Sequence, residues 1–505
     1  MRHISKGQLE HILYRLDNRR YSAYRRLKGL IIDYDVAEAT FTKIQSDPHS
    51  PPSIMEISIP FKSHGFPEEL FKEEYTTPFT DYIARVLYKV TRRFSKKCGS
   101  GYSCYIGVPK PGPWILRRSC VEIFDRNIVL RMYIGLPARG RRILGDKART
   151  LLLNYIPEII RSIVTLHNEI GNIKKHIINY LDQEYLREWL YRNNYMFFIG
   201  DDSILPRESS LSEEPMKNAV PFKSPKTLRV SIRLPSGKRV TGMAIPHGFT
   251  MITGGGYHGK TTLLEAIQEG IYNHVEGDGR ELVISKRYAV LVRAEDGRIV
   301  SHVDISTFVD NLPTGEDTRD YVSLDSSGST SMAASINEAV EAGAEVIIMD
   351  EDTSATNLLY KDEIMNNIIS NDPIKSLYLQ VKSLIDKTGV GLVAVISASS
   401  SFINVADKII IMENFLPKDI TVDVKGKYSF NKLKLLVYKP PRRRFYHGIK
   451  GLKKIRARGY KIIAEYEGGM KFELDLSYYP RVVERGQVKF ISYIVRRFTT
   501  LKKPM

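Results

Sequence analysis

The chain has 505 residues, 43% of them hydrophobic, and a formal net charge of +18. This length predicts two to four domains with sizeable cores, and no apolar run approaches the roughly 20 residues that span a bilayer. The three cysteines, Cys98, Cys104 and Cys120, form no C-x-x-C pair or zinc pattern. We therefore expect reduced thiols and no structural disulfide in a soluble cytoplasmic protein.

The region 1–165 predicts an α+β domain. Its first segment places His11, Ile12, Leu13 and Leu16 on helical spacing. Strands are predicted at Ile54–Ile59, Tyr102–Val108 and Ile128–Leu136. A basic turn follows, and its arginines either reach the phosphates of a nucleotide or RNA or form a solvated turn with local salt bridges. These arginines are Arg139, Arg141 and Arg142.

Residues 166–424 predict an α/β domain with a parallel sheet core. Helical stretches at Arg149–Leu166 and Lys174–Arg192 precede a surface linker near 205–225. Alternating or continuous apolar runs then predict strands around 228–232 and at Val240–Ile245, Phe249–Thr253, Tyr288–Glu295, Val346–Asp350 and Leu392–Ile396. This order is typical of a small antiparallel element that leads into a parallel core.

A G-x-x-x-x-G-K-T segment follows the strand Phe249–Thr253 and precedes the helix-like Thr262–Gly270. It consists of Gly254, Gly255, Gly256, Tyr257, His258, Gly259, Lys260 and Thr261. In such a loop, backbone N–H groups surround phosphates, the lysine reaches the β and γ oxygens, and the threonine hydroxyl ligates Mg²⁺. The strand before it and the helix after it favour nucleotide binding over a tight glycine turn with an incidental lysine.

The segment Glu345–Glu351 places two carboxylates after four apolar residues, which is typical of a buried parallel strand that ends at a nucleotide. Asp350 would hold the Mg²⁺ shell, and Glu351 would polarise the attacking water. Alternatively, Glu351 only caps the strand. Upstream, the serine-rich Ser326–Ser331 precedes a helix-prone segment, and Gly328 lies 22 residues before Asp350. This position favours an ABC signature loop over a simple serine N-cap.

The positive charge is concentrated at one end of the chain. Residues 425–505 contain 22 Lys and Arg against 5 Asp and Glu and predict a small basic C-terminal domain. Cations interleaved with aromatic rings favour RNA or single-stranded nucleic acid, although a solvated basic face or an acidic partner would suit the same composition. The candidate contacts are Arg442, Arg443, Arg444, Lys453, Lys454, Arg456 and Arg458.

Several longer motifs resemble the predicted ATPases of the ABC class, a family that includes an ATPase subunit of the kinetoplastid mitochondrial RNA-binding complex. In the second domain they are GGGYHGKTTLLEA (254–266), YNHVEGDGRE (272–281), RAEDGR (293–298), SGSTS (327–331) and DEDTSATN (350–357). In the first they are YSAYRRLKG (21–29), SDPHSPPS (46–53) and GLPARGRRILG (135–145). The resemblance covers roughly residues 10–424.

The resemblance implies a P-loop ABC-type domain that forms a nucleotide-sandwich homodimer. Gly259, Lys260, Thr261 and Thr262 would bind phosphates and Mg²⁺, with Asp350 as the metal acid and Glu351 as the hydrolytic base. Ser327, Gly328 and Ser329 would bind the γ-phosphate held by the opposite subunit, and 353–357 would form the D-loop between the two sites.

Two departures from the family of ordinary ABC ATPases stand out. No glutamine occupies the Q-loop position, where Val303–Ser306 resembles a local substitute and Asp304 or Ser306 would contact the metal or its water. No histidine follows the strand Leu392–Ile396; a serine such as Ser399 can sense the γ-phosphate but cannot carry a proton as imidazole does. We therefore expect ATP turnover well below about 10 per second.

These features predict an ABC-class ATPase that uses ATP and Mg²⁺ and couples them to RNA or single-stranded nucleic acid, without a membrane partner. The alternative is an ATP-sensing adaptor with little hydrolysis. Such an adaptor would dock an acidic protein or the ribosome through the basic residues 425–505.

Overall fold

A computed structural model describes residues 2–210, 212–361, 368–369, 371–428, 433–442, 444, 449–477, 479 and 482–499. The chain divides into two compact units, residues 1–181 and 182–505. The boundary falls within the helix Ile170–Arg192. The predicted boundaries at 165 and 424 stay a prediction.

The first unit is built on one mixed sheet. Its strands are Arg2–Ile4, Leu30–Asp33, Glu38–Lys43, Ser53–Ile59, Ile106–Gly107, Val121–Phe124 and Asn127–Ile134, and a small hairpin joins Ala138–Arg139 to Arg142–Ile143. Its helices are Lys6–Leu16, Phe61–His64, Glu73–Phe94, Gly145–Arg149, Ile156–Val164 and the start of Ile170–Arg192, with a π-helical segment at Thr150–Tyr155. Ser53–Ile59 pairs on one side with Glu38–Lys43 and on the other with Asn127–Ile134, both antiparallel.

The first helix shows why the local sequence folds in this way. Ser5 and Gln8 form a reciprocal capping box at its N-terminus. Leu9, Leu13 and Leu16 form its buried stripe, so the predicted amphipathic helix is confirmed. The predicted strands at 54–59 and 128–136 are also confirmed within two residues of their observed ends.

The prediction that the chain has no structural disulfide is wrong. Cys98 and Cys104 are joined in a disulfide with a Cα–Cα distance of 5.6 Å, whereas Cys120 is buried and takes no part in this disulfide. A turn between the two cysteines brings them together, with Gly101 at a φ of +57° and Cys104 at +63°. The same turn replaces most of the strand predicted at 102–108, of which only Ile106–Gly107 forms.

The second unit contains an antiparallel sheet and a mainly parallel sheet. The antiparallel sheet has the order Arg229–Arg233, Arg239–Pro246, Tyr195–Gly200 and Val283–Ser285. The second sheet has the order Ala289–Leu291, Val346–Asp350, Gly391–Val395, Phe249–Thr253, Lys408–Glu413 and Leu416–Asp419. Only its last strand is antiparallel. The strands predicted at 249–253 and 346–350 have the observed bounds.

The helices described in this core separate or follow its strands along the chain. They are Lys260–Glu269, Gly328–Glu341, Thr356–Leu359, Val381–Thr388 and Thr421–Lys427. A hairpin of Arg298–Val303 and Tyr321–Ser326 packs against Gly328–Glu341. The segment 205–225 contributes Leu205 and Phe222 to the buried core.

The C-terminal part of the second unit forms a small antiparallel sheet and a helix. The strands are Leu452–Arg458, Lys461–Tyr466 and Lys471–Asp475, and the helix is Arg485–Phe498. Val488 of the helix packs with Ile455 and Ile462 of the sheet. The chain before this sheet belongs to the larger core, because Tyr438 is fully buried and donates a hydrogen bond to Asn337 Oδ1 at 2.8 Å.

Candidate nucleotide site and basic cleft

The glycine-rich loop lies at the carboxyl end of the strand Phe249–Thr253, which sits between Gly391–Val395 and Lys408–Glu413. Gly254 has a φ of +138°, and a Cβ added there would lie 2.5 Å from the Met412 carbonyl oxygen. Lys260 begins the following helix, and its Nζ donates to the carbonyl oxygens of Gly254 and Gly255 at 2.8 and 2.7 Å. The carbonyl groups of the loop therefore bind the Lys260 side chain, and the backbone conformation at Gly254 requires glycine.

The remaining loop residues differ in their exposure. The side chain of Tyr257 is fully exposed, and His258 Nδ1 accepts a hydrogen bond from the N–H of Asn414 at 2.8 Å. Thr261 is exposed in the first turn of the helix, and Thr262 is half-buried. The hydroxyl of Thr261 is therefore accessible beside Lys260.

Asp350 ends the neighbouring buried strand Val346–Asp350 and is itself buried. Its Oδ1 accepts from the N–H of Asp352 at 3.2 Å. Burial raises the pKa of Asp350, and the charges of Asp352 and Glu351 act in the same direction, whereas the charge of Lys260 lowers it. The strands that precede Asp350 and the loop of Lys260 are parallel neighbours of Gly391–Val395, so the two residues lie at the same edge of the sheet.

Glu351 is held by three hydrogen-bond donors, one nine residues along the chain and two from the segment after Gly391–Val395. Its Oε1 accepts from the Tyr360 hydroxyl at 2.6 Å. Its Oε2 accepts from the N–H groups of Ser397 and Ala398 at 2.6 and 3.0 Å. Burial, followed by the bond to Glu351, raises the pKa of Tyr360 to about 12, so its hydroxyl is a donor at neutral pH.

The predicted signature residues stand at the start of the 14-residue helix Gly328–Glu341, here called the signature helix. Ser327 is its N-cap and accepts from the N–H of Thr330 at 3.4 Å. Ser329 donates to Asn357 Oδ1 at 2.8 Å. Ser329 is thus joined, within one chain, to Asn357, the last residue of the segment 353–357.

Two other predicted site residues contact their own neighbours. Ser399 Oγ donates to Ser401 Oγ at 3.0 Å. Asp304 Oδ1 accepts from the N–H and hydroxyl of Ser306 at 3.0 and 2.7 Å. The carbonyl of Asp304 accepts from Asn337. These partners of Asp304 belong to its own turn and to the signature helix.

The residues that connect these motifs were not predicted from the sequence. Arg298 forms an ion pair with Glu338 and donates to the Ser331 carbonyl oxygen at 3.3 Å, so it holds the first turns of the signature helix. The N–H of Ala294 donates to the Thr353 carbonyl oxygen at 2.9 Å. The motif at 293–298 identified this segment, but the spacing of its residues indicated no function for any of them. Tyr360 had no sequence signal at all.

The candidate metal ligands at this site are suited to a nucleotide bound with Mg²⁺. Among the residues that the structure describes, no three acidic, histidine or cysteine side chains converge as a metal site. Mg²⁺ with a nucleotide needs no such cage, since one or two protein ligands, water and phosphate oxygens complete its octahedral shell. Asp350 and the Thr261 hydroxyl are the candidate protein ligands.

A basic cleft of about 690 Å³ lies between the strand Leu452–Arg458 and the helix Arg485–Phe498. Lys453 and Lys454 were predicted as nucleic-acid contacts, and the helix adds cations and an aromatic ring that sequence reasoning missed. The lining residues are Leu452, Lys453, Lys454, Ile455, Tyr493, Arg496, Arg497 and Thr499.

The other predicted cations have different surroundings. Arg458 and Arg442 are exposed, and Arg456 lies 3.5 Å from Glu465. Arg444 pairs with Glu341 at the end of the signature helix. Arg443 lies outside the described residues. In the first unit, Arg139 is exposed, Arg141 pairs with Asp47 at 3.1 Å and Arg142 donates to the Asn18 carbonyl oxygen at 3.0 Å.

Comparison with known families agrees with this arrangement. A family model of ABC ATPases, described as a P-loop domain, matches residues 169–440. A second model, described as the N-terminal part of an ATPase of the ABC class, matches residues 6–167. The chain belongs to the ABC-class ATPases. The predicted resemblance is confirmed, as are the P-loop ABC-type core and the N-terminal domain.

Individual similar proteins add little about the activity of this ABC-class ATPase. An uncharacterized protein of Methanocaldococcus jannaschii is 30% identical over 301 residues, which are 54% of this chain and 66% of that protein. The chain thus spans just under two thirds of the length of this relative. The solved structure of cbiO1 from Clostridium perfringens, part of an ABC transporter complex, matches 46% of this chain and 92% of its own. Its 14% identity and TM-score of 0.26 carry no weight in the assignment.

The described portion of this ABC-class ATPase also lacks any helix that combines the length and the apolar composition required to cross a membrane.

Proposed function

We propose that this ABC-class ATPase binds ATP with Mg²⁺ and hydrolyses it slowly. The observation that carries the proposal is the order of three adjacent parallel strands. Phe249–Thr253, Gly391–Val395 and Val346–Asp350 are neighbours in the sheet, so their carboxyl ends share one edge. Lys260, Asp350 and Glu351 lie at this edge. Open α/β sheets bind their ligands at the carboxyl ends of their strands.

Each residue at this edge has a chemical role in the proposal. The N–H groups of 254–259 and the Lys260 ammonium hold the phosphates, while Thr261 and Asp350 hold Mg²⁺. When bound, Mg²⁺ neutralises charge that develops on the phosphate oxygens. Glu351 accepts the proton of the attacking water. The absence of a histidine after Gly391–Val395 supports slow turnover.

We further propose that two copies of the chain form a nucleotide sandwich. The helix Gly328–Glu341 has 14 residues and begins at the serine-rich segment. Its N-terminal amide groups and its dipole favour an anion, and the hydroxyls of Ser327 and Ser329 add donors. The γ-phosphate held by a second copy is the anion that suits this position.

The nucleic-acid part of the proposal rests on the basic cleft. Lys453, Lys454 and Arg496 supply positive charge for a phosphate backbone, and Tyr493 supplies a ring on which a base can stack. Arg444 joins the start of the C-terminal region to the signature helix. If ATP-dependent closure moves this helix, then RNA must change nucleotide affinity by the same factor as ATP changes RNA affinity.

Turnover of ATP by the wild type and by Glu351→Gln, with and without mixed single-stranded RNA, tests the proposal. We expect slow wild-type turnover that responds to RNA and a loss of roughly 100- to 10,000-fold in Glu351→Gln with ATP binding retained. Glu345→Gln is the matched control, because Glu345 precedes the first residue of the strand that Glu351 follows. ATP binding without turnover or RNA affinity would favour the ATP-sensing adaptor, which docks an acidic protein or the ribosome.

A further inference from the structure

The carboxylate of Glu351 has hydrogen bonds on both oxygens. Tyr360 donates to Oε1 at 2.6 Å, and the N–H groups of Ser397 and Ala398 donate to Oε2 at 2.6 and 3.0 Å. An ionised carboxylate offers about four acceptor positions. Three donors therefore fix its orientation and leave about one position for a further donor.

Packing determines where the Tyr360 hydroxyl lies. Tyr360 is the C-cap of the helix Thr356–Leu359, and its N–H donates to the Thr356 carbonyl oxygen at 2.9 Å. Its ring packs edge-on against Phe402, with 6.3 Å between the ring centroids. Phe402 is fully buried in the core. Because the ring rests on a buried aromatic, the hydroxyl is preorganised and needs little ordering to reach Glu351.

The sheet supplies the other two donors. Gly391–Val395 pairs in parallel with Val346–Asp350, with Val395 opposite Asp350. The chain leaves this strand through Ser397 and Ala398, so their amides meet the residue that follows Asp350. These donors are backbone groups, and their position depends on strand register rather than on side-chain identity. They occupy the segment in which no histidine is present.

We propose that Tyr360 is a positioning residue for ATP hydrolysis. Its hydroxyl holds the Glu351 carboxylate against the amides of Ser397 and Ala398, and the remaining acceptor position serves the attacking water. This inference rests on the hydrolytic role proposed for Glu351. A water proton passes to Glu351 while the water oxygen bonds to the γ-phosphorus and the bond to the bridging oxygen of ADP breaks. Tyr360 acts through Glu351, in the way that an orienting group acts on a general base.

The chain provides a matched control for removing one phenol hydroxyl. Tyr191 donates to Glu345 Oε2 at 2.7 Å, and Glu345 lies at the opposite end of the strand Val346–Asp350. Burial, followed by the bond to the respective glutamate, raises the pKa of both phenols to about 12. Tyr191→Phe therefore removes the same kind of hydrogen bond at the other end of the same strand, away from the sheet edge that carries Lys260 and Asp350.

The experiment compares Tyr360→Phe and Tyr191→Phe in the full-length protein. We expect kcat for ATP to fall about 10- to 100-fold in Tyr360→Phe, as for a lost bond to a charged group, while KM stays within about twofold. Tyr191→Phe keeps wild-type kcat. In a Glu351→Gln background, Tyr360→Phe causes no further loss. A merely structural role would change KM or the thermal midpoint and would add to the effect of Glu351→Gln.

Hydrogen exchange of the Ser397 and Ala398 amides gives a second measurement that needs no turnover. We expect these amides to exchange faster in Tyr360→Phe than in the wild type or Tyr191→Phe, because the carboxylate that protects them is less ordered. Unchanged exchange rates would overturn the proposal. A kcat at or above the wild-type value in Tyr360→Phe would also overturn it, because the Tyr360 hydroxyl would then hold the Glu351 carboxylate in an inactive position. A wild type without turnover would refute the proposed function, yet the exchange rates would still decide whether Tyr360 holds Glu351.

Discussion

The hydroxyl of Ser329 donates a hydrogen bond to Asn357 Oδ1 at 2.8 Å, although the two residues are 28 positions apart. Ser329 stands in the first turn of the signature helix, and Asn357 closes the segment 353–357 that follows Glu351. In a nucleotide sandwich, Ser329 would instead donate to the γ-phosphate of the second copy. In the proposed sandwich, dimer closure would therefore exchange an internal partner of Ser329 for an external one.

Asn357→Ala should make the ATP-dependent dimer easier to form, because it removes the internal competitor for Ser329. A neutral hydrogen bond contributes about 0.5–1.5 kcal/mol, so the ATP concentration at half-dimerisation should fall about two- to tenfold. Sedimentation velocity in a Glu351→Gln background, where ATP is not consumed, measures this shift. Asn193→Ala is the control, since Asn193 donates to the Trp189 carbonyl oxygen on another helix. Weaker dimerisation of Asn357→Ala would contradict the exchange.

Lys260→Ala should weaken ATP binding about 10- to 100-fold, since it removes a charge-assisted bond to phosphate. Calorimetric titration with ATP and Mg²⁺ measures the affinity directly. Lys382→Ala provides the comparison, because Lys382 forms its ion pair with Asp407 at the surface. Equal losses in both variants would mean that net charge, rather than the loop, governs ATP binding.

Asp81→Asn should destabilise the first unit and change its response to acid. The Asp81 carboxylate is fully buried and lies 2.6 Å from Arg85, 2.7 Å from Arg118 and 3.2 Å from His176. Burial alone would raise the pKa of Asp81, but the nearby His176 and the charges of Arg118 and Arg85 outweigh this effect and lower the pKa to about 2. Removing the buried charge should cost roughly 3–5 kcal/mol, because the buried Arg118 guanidinium would lose the carboxylate counter-charge of Asp81.

The sign of the acid effect follows from this lowered pKa. A carboxyl that titrates at 3.8 when unfolded and at about 2 when folded stabilises the native state fully above pH 4, by about 2 kcal/mol. That contribution is lost as the pH falls from 4 to 2, so Asp81→Asn should show a weaker dependence across this interval. Urea unfolding followed by Trp114 fluorescence in a Trp189→Phe background tests it. Asp35→Asn, at an exposed ion pair with Lys6, should shift stability by less than about 1 kcal/mol.

Charge reversal in the basic cleft should weaken RNA binding and flatten its salt dependence. For Lys453→Glu and Arg496→Glu, we expect the slope of log affinity against log salt to fall by about 0.7 for each lost phosphate contact. Fluorescence anisotropy with mixed single-stranded RNA at several salt concentrations gives the slope. Lys471→Glu changes the charge equally on an exposed position of the same small sheet. An equal loss in this variant would point to net charge rather than to the cleft.

These point variants suit the chain better than removal of residues 425–505. Such a truncation would delete Tyr438, which is buried in the ATPase core and bonded to Asn337 of the signature helix. A loss of activity would then report damage to the core. The positive charge of this region did not reveal that its first part packs into the neighbouring core, because composition carries no information about contacts.

What the sequence determined by itself is local. Glycines that permit the loop after Phe249–Thr253, and the apolar run that ends at Asp350, act over a few neighbouring residues, so their strands were predicted with the observed bounds. What only the tertiary structure decided is which distant segments meet. Glu351 and Ser397 are 46 residues apart in the chain. They meet because the sheet places Gly391–Val395 beside Val346–Asp350. Strand order, turn geometry and packing also join Cys98 to Cys104, Ser329 to Asn357 and Tyr360 to Glu351. None of these pairs has a periodic signal in the sequence, because each is a single contact that arises when complete elements pack together.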